Sequence, residues 1–189
     1  MKRALQVNDD ITLLQQSSKK RQIAAFLNLL KSNEIRIKPY FPGFYIDGIS
    51  KELVEELIQN KEKAFQKKEV TSYAICSRKK KRIIGEVLIY HSLNEASISY
   101  WIDKQSEGKG VISAAFDKVR SELFQEGVSG ILASCDAKNE KSIQFLKNKG
   151  LKPIATYRNQ QGKKFIDFYQ TKQEFLFLKR LNQHQQERA

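Results

Sequence analysis

Cysteine and histidine are scarce in this sequence, with two of each among 189 residues. Cys76 and Cys135 allow at most one bridge, which excludes a disulfide-built scaffold, and no pair of Cys-x-x-Cys units is present, so no metal centre is expected. A reducing, cytoplasmic setting is the matching expectation. No run of about 18 uncharged apolar residues occurs, as a spanning helix would require. Lys2 and Arg3 lead into no apolar stretch of signal length, so neither secretion by a standard signal nor membrane insertion is expected. Internal repeats are missing. Acidic residues are in deficit, 21 against 34 Lys and Arg, for a formal charge of +13.

What is present is a folding composition: 40% hydrophobic and 10% aromatic residues at a length that suits one domain with a sizeable core. The reading is a single domain over 1–181 and a polar, disordered tail over 182–189. The positive field should attract polyanions and acidic ligands, so nucleic acid, the ribosome and phosphorylated cofactors all remain open as partners. It steers polycationic acceptors poorly.

Along the chain, Ile11 to Leu14 reads as a strand, and Ile23, Phe26, Leu27 and Leu30 repeat at helical spacing up to a break at Lys31-Ser32-Asn33. Two prolines and a glycine make an ordered loop of Lys38 to Tyr45, whose Tyr40, Phe41, Phe44 and Tyr45 serve either core closure or the wall of an acceptor site. Ser50 caps a helix with Leu53, Val54, Leu57, Ile58 and Phe65 on its inner face. Val70 to Cys76 and Arg82 to Tyr90 form a hairpin, and Arg78-Lys79-Lys80-Lys81-Arg82 is its solvated tip, of electrostatic value. Ala96 to Asp103 is the next strand. A helix with Val111, Ala115, Phe116, Val119 and Leu123 in one stripe follows, closed by Gly127. Ile131 to Cys135 is a buried strand. Asn139 caps a helix that Gly150 ends, with Ile143 and Leu146 inward, and Asn159 to Gly162 turns a last hairpin.

The densest chemistry lies between Ser97 and Ile112. A period-2 segment ending in Tyr100-Trp101-Ile102 runs through five residues into Gly108-Lys109-Gly110 and directly into a helical pattern. Glycines let backbone turn tightly and approach a ligand, while the first helical amides and the positive end of the helix dipole face whatever sits there. Such a cradle favours a phosphate or pyrophosphate.

Tyr100-Trp101-Ile102, Gly108-Lys109-Gly110, Asn139, Ser142 and Gly150, in this element order, resemble the GNAT superfamily of acetyl-CoA-dependent N-acetyltransferases. Within it they are most similar to the branch that acetylates the N-termini of ribosomal proteins at alanine or serine. The resemblance implies an α/β fold with a mixed, mostly antiparallel sheet of about six to seven strands, splayed at its centre, and about four helices. It implies that acetyl-CoA binds at Ile102, at the turn of Glu107, Gly108, Lys109, Gly110, Val111 and Ile112, and at Asn139 and Ser142. Ser97, Ser99 and Tyr100 would face the acceptor, with Ser142 as the catalytic acid and no metal. Three positions depart from the pattern. Glu107 stands where Gln or Arg is usual, which opposes a pyrophosphate by roughly 1 kcal/mol unless Lys109 and the net charge offset it. Leu146 replaces a frequent tyrosine acid, and Ser97 a frequent glutamate.

The reaction asks little of the protein: a neutral amine attacks a thioester, an oxyanion needs a donor, a proton leaves nitrogen and one reaches sulfur. Ser142 suits the last step, and its ordinary alternative is a residue of a capped first turn. For the base, Glu86 and Glu95 near strand ends compete with a water wire past Ser97 or Ser99. His91 reads as a surface or capping residue at a strand end and His184 belongs to the tail. Tyr100 and Trp101 read first as packing residues. Cys135, inside a buried strand, reads as an inert small hydrophobe instead of an acyl carrier. The expectation is an acetyltransferase, monomeric or homodimeric, acting on a primary amine, foremost a protein N-terminus. The alternative is a weakly catalytic, basic module on RNA or the ribosome.

Overall fold

Helix α1 (Lys20–Ser32) owes its register to apolar residues three and four apart, and Ile23, Phe26, Leu29 and Leu30 are its buried face. The computed structural model describes residues 1–38 and 48–186. The aromatics Tyr40, Phe41, Phe44 and Tyr45 lie outside them. The chain divides into two compact units, the first holding Met1–Tyr90 with Tyr100–Val119, the second His91–Ser99 with the chain from Arg120 onward.

In the first unit, β1 (Ala4–Gln6), β2 (Ile11–Gln15), β3 (Val70–Ser77) and β4 (Arg82–His91) follow one another as neighbours, antiparallel from β1 through β4. The end of β5 (Glu95–Ile102) lies beside β4. Helix α1, a single turn α2 (Glu34–Ile37) and α3 (Lys51–Gln66) cover one face. Ser50 caps α3 as expected, its hydroxyl accepting from the Leu53 amide at 3.1 Å. The core joins the α1 face to Val54, Ile58, Ala74 and Ile83, with Trp101 packed against it. Each fully buried Val, Leu, Ile or Phe side chain there contributes about 1.5–3 kcal/mol.

In the second unit, the start of β5 pairs in parallel with β6 (Gly130–Asp136), which pairs antiparallel with β8 (Lys164–Thr171), and β8 with the edge strand β7 (Lys152–Arg158). The β5–β6 ladder holds only from Glu95↔Gly130 to Ser97↔Leu132. Both strands run on beyond it. Helix α4 (Val111–Gln125) starts in the first unit and ends in the second, followed by α5 (Glu140–Asn148) and α6 (Lys172–Gln186).

The described residues thus give an open, mixed, mostly antiparallel sheet of eight strands with six helices, against an expected six to seven and four. The additions are β1, α2 and α6. The last corrects the reading of a disordered segment from Asn182, because the helix continues to Gln186.

Candidate active site

Ile102 ends β5, and the residue after it is the anchor of the whole turn. Asp103 is 4% exposed and accepts from Arg82 Nη2 at 2.7 Å and from Asn33 Nδ2 at 3.3 Å, while its amide donates to Ile84 O at 2.7 Å. A buried carboxylate needs such partners. Asn33 also accepts from the Lys104 amide at 3.2 Å, so the end of α1 grips both sides of the turn's entrance. A single 3-10 turn, Lys104–Ser106, follows. Lys80 reaches it from the β3–β4 hairpin, with Nζ 2.7 Å from Ser106 Oγ. The turn at 78–81 is exposed, as a solvated hairpin tip should be, and two side chains of the Arg78–Arg82 segment also reach the neighbouring turn. Lys80 and Arg82 buttress the turn, and the Lys79 amide is held at 2.7 Å by Asp10.

Gly108 and Gly110 have φ of +70° and +71°, a region glycine enters without a Cβ penalty. Open space lies where a Cβ would stand on either. The first helical acceptance in α4 is Gly110 O taking the Ala114 amide at 3.0 Å. The amides of Val111 and Ile112 precede it and have no acceptor within the helix. A cleft of about 170 Å³ adjoins the turn, lined among others by Lys80, Ser106, Lys109, Gly110 and Val111. Free amides, two nearby ammonium groups and a helix dipole fit a diphosphate. Lys109 folds back on the Gln105 carbonyl at 2.9 Å. The Glu107 amide is already given to Lys104 O at 3.3 Å, and the Glu107 carboxylate pairs with Arg36 of α2, which also donates to Ile102 O.

Glu86 proves to be neither at a strand end nor exposed. It sits mid-strand in β4, 3% exposed, paired with Lys61 and accepting from Ser72 Oγ at 2.8 Å and Trp101 Nε1 at 3.2 Å. Ser72 Oγ also lies 2.9 Å from Gln16 Oε1. Trp101 is thus fixed by its indole N–H as well as by the Phe26 ring, whose centroid is 6.3 Å away. Its main chain comes so close to β4 that a Cβ on Gly85 would stand 2.5 Å from Trp101 O. Tyr100 meets Phe116 edge-on at 6.1 Å, in keeping with a packing role.

The second unit carries the other sequence-predicted residues. Ser97 is half-buried at the last β5–β6 pair, and Ser99 is exposed two residues on. Asn139 caps α5, its side-chain oxygen accepting from the Ser142 amide at 3.1 Å. The Ser142 backbone thus serves the cap and leaves its hydroxyl for other work. Arg120, buried, binds Lys149 O at the far end of α5 and Gln170 Oε1 at 2.9 Å, which fixes the helix by its negative pole. Leu146 is buried and supplies no acid. Burial, with Asp136 and Asp167 nearby, pushes the Cys135 thiol up to about 11, which keeps it an inert thiol at neutral pH. Glu95 accepts from Tyr169 at 2.6 Å, and that bond chiefly pushes the phenol up to about 12. Burial lowers the His91 imidazole below its ordinary value.

Among the described residues no group of three or more His, Cys, Asp or Glu could hold a metal, and no helix is long and apolar enough to cross a membrane. Sequence reasoning missed Asn33, Arg36, Lys61, Lys80 and Asp103.

Similarity to known proteins agrees with this geometry. No curated protein matches the chain. The microcin C7 self-immunity acetyltransferase, solved with acetyl-CoA and AMP, superposes with a TM-score of 0.79 at 21% identity, over 90% of this chain and 97% of that one. A ribosomal L7/L12 alpha-N-protein acetyltransferase in complex with coenzyme A gives 0.78 at 14% identity, over 89% and 97%. A ribosomal-protein-S5-alanine acetyltransferase from Vibrio fischeri gives 0.74 at 13%, over 89% and 96%. At these identities the likeness is one of fold. The profile of the family described as acetyltransferase (GNAT) domain matches residues 13–152, well over half the chain. With that match the chain belongs to the GNAT acetyltransferases, enzymes whose cosubstrate is acetyl-CoA.

Proposed function

We propose that this acetyltransferase modifies a primary amine at a protein N-terminus, by direct attack within a ternary complex, in the cytoplasm. The observation that carries the transfer chemistry is the turn at 108–112, where positive-φ glycines and unpaired helical amides offer a preorganised anion site. Asn139 adds a pantetheine contact in this reading, Ser142 stands at the thioester end of the cosubstrate, and Ser97, Ser99 and Tyr100 face the acceptor. The amine attacks the thioester carbonyl, the C–N bond forms and the C–S bond breaks. The amine's proton leaves to solvent, and Ser142 passes its proton to the departing thiolate while taking one back from solvent. The high thiol pKa of Cys135 supports direct transfer over an acyl-cysteine route. A peptide acceptor is supported by fold neighbours that act on ribosomal-protein N-termini and by the +13 charge, which suits an acidic or ribosomal partner better than a polyamine. The family match crosses both compact units, which supports one working domain over 1–181.

The test is mass spectrometry of peptides after incubation with acetyl-CoA. Peptides with free N-terminal alanine or serine should gain about 42 Da at the α-amine, the mass of an acetyl group less that of the hydrogen it replaces, through the positioning that makes such transfer fast. Acetylation confined to lysine side chains or small amines refutes the acceptor assignment.

A further inference from the structure

Glu107 is the last residue before the glycine turn, and consecutive Cα atoms lie only about 3.8 Å apart. Its charge therefore belongs to the electrostatics of the amide cradle, where it opposes any bound anion. Arg36 answers it. From α2, 71 residues earlier in the chain, the guanidinium pairs with the Glu107 carboxylate and donates to the Ile102 carbonyl. One side chain thus grips both ends of the connection from β5 to the turn. The pair differs from an ordinary surface bridge in two ways. Its side chains are 33% and 40% exposed, and the second contact goes to backbone adjoining the buried Asp103. A planar fork of several donors can make both contacts together, which a lysine ammonium on a flexible stem does poorly.

We propose that Arg36 is a positioning residue for cosubstrate binding: it neutralises Glu107 and fixes the entrance to α4, so that the cradle takes a diphosphate despite a carboxylate at its edge. This rests on the reading of the 108–112 turn as the acetyl-CoA site. Removing Arg36 takes away this counter-charge, and removing both charges relieves the repulsion. The double variant therefore binds better than the Arg36 variant alone, whereas an arginine with a merely structural role gives a double variant no better than the single one.

Isothermal titration of acetyl-CoA into the parent, Arg36→Gln, Glu107→Gln and the double variant tests this, with thermal melts as folding controls. Arg36→Gln should bind about tenfold more weakly at low ionic strength, with the gap shrinking as salt rises. Glu107→Gln should bind at least as tightly as the parent, and the double variant within about threefold of it. Parent-like binding by Arg36→Gln, or a double variant as weak as Arg36→Gln, overturns the proposal. If Arg36→Gln does not fold, Glu107→Gln decides, because weaker binding than the parent overturns the charge argument. A parent that binds no acetyl-CoA refutes the site reading itself, while a binding parent with failed charge relief refutes Arg36 alone.

Discussion

Replacing Gly110 by valine separates the two tasks that a glycine performs in the turn proposed to bind acetyl-CoA. Its φ of +71° lies in the left-handed region, where a residue with a Cβ costs roughly 1–2 kcal/mol and a β-branched one more. No atom lies within 4 Å of a Cβ built there, so no internal clash is added. In the proposed reading the branched side chain stands instead in the space that the cosubstrate would take. For a chain of this size each kcal/mol lowers Tm by about 2–4 °C, so Gly110→Val should melt several degrees below the parent yet remain folded at 25 °C. Its acetyl-CoA affinity should fall by about 2 kcal/mol or more, a factor of about 30, because no side chain replaces backbone amides whose approach is blocked. Gly110→Ala is the control. It carries nearly the same backbone strain with a single methyl group, so it should show a comparable Tm shift and a smaller loss of affinity. Isothermal titration beside differential scanning calorimetry reads both quantities. Parent-like affinity in a folded Gly110→Val places the cosubstrate elsewhere.

Ser142→Ala should lower turnover about tenfold or more and leave acetyl-CoA affinity nearly intact, because the cap on Asn139 uses the Ser142 amide and survives the change; weaker binding at unchanged turnover makes the hydroxyl a pantetheine contact. Lys61→Ala strands the Glu86 carboxylate in a buried place and should cost about 3–5 kcal/mol in urea unfolding, whereas Lys61→Met with Glu86→Gln should stay close to the parent. Equal losses in the two refute a desolvated charge as the cause. Glu174, paired with Lys152 and accepting from the Thr171 amide, is held down at about 2. A depressed folded pKa gives stability that is complete above the unfolded value near 4.5 and lost as pH falls through about 2. Glu174→Gln should therefore be less stable than the parent at pH 7, and the two should converge toward pH 2; a constant difference over that range refutes the linkage.

The regular part of the fold was legible because its signals are local. The α1, α3 and α4 stripes repeat at helical spacing, and the turns announce themselves chemically. Strand β7 is exposed along its whole length and has no alternating pattern to read. Its hairpin was found through Asn159, whose side chain accepts from the amides of Gln161 and Lys163, and through Gly162 at φ +74°. Three residues of β1 and one turn of α2 are too short for any period to show. Helix α6 was missed for a different reason. Its Phe175 to Leu178 run is four consecutive apolar residues, a pattern that a helix and a buried strand share, so periodicity did not decide it. Yet Thr171 and Glu174 form a reciprocal capping box, with Glu174 N to Thr171 Oγ1 at 3.1 Å and Thr171 N to Glu174 Oε2 at 2.9 Å. That T-x-x-E pattern stands in the sequence and marks a helix start without help from hydrophobicity.

The glycine turn was visible for the same local reason, and its supports were not. Asn33 with Asp103 and Arg36 with Glu107 join residues 70 and 71 apart, and nothing in either segment names the other. Glu86 shows how far sequence can go in such a case. It lies in Ile83-Ile84-Gly85-Glu86-Val87-Leu88-Ile89, apolar at both parities, and a strand with apolar residues on both faces is buried on both. A carboxylate inside such a run cannot be a solvated strand-end residue, and burial without a counter-charge would cost more than the fold can bear. The sequence therefore already called for polar partners at Glu86, a cation foremost. Which of the 34 basic residues meets it depends on where α3 lies across the sheet, and that geometry belongs to the packing of elements, not to their spacing along the chain.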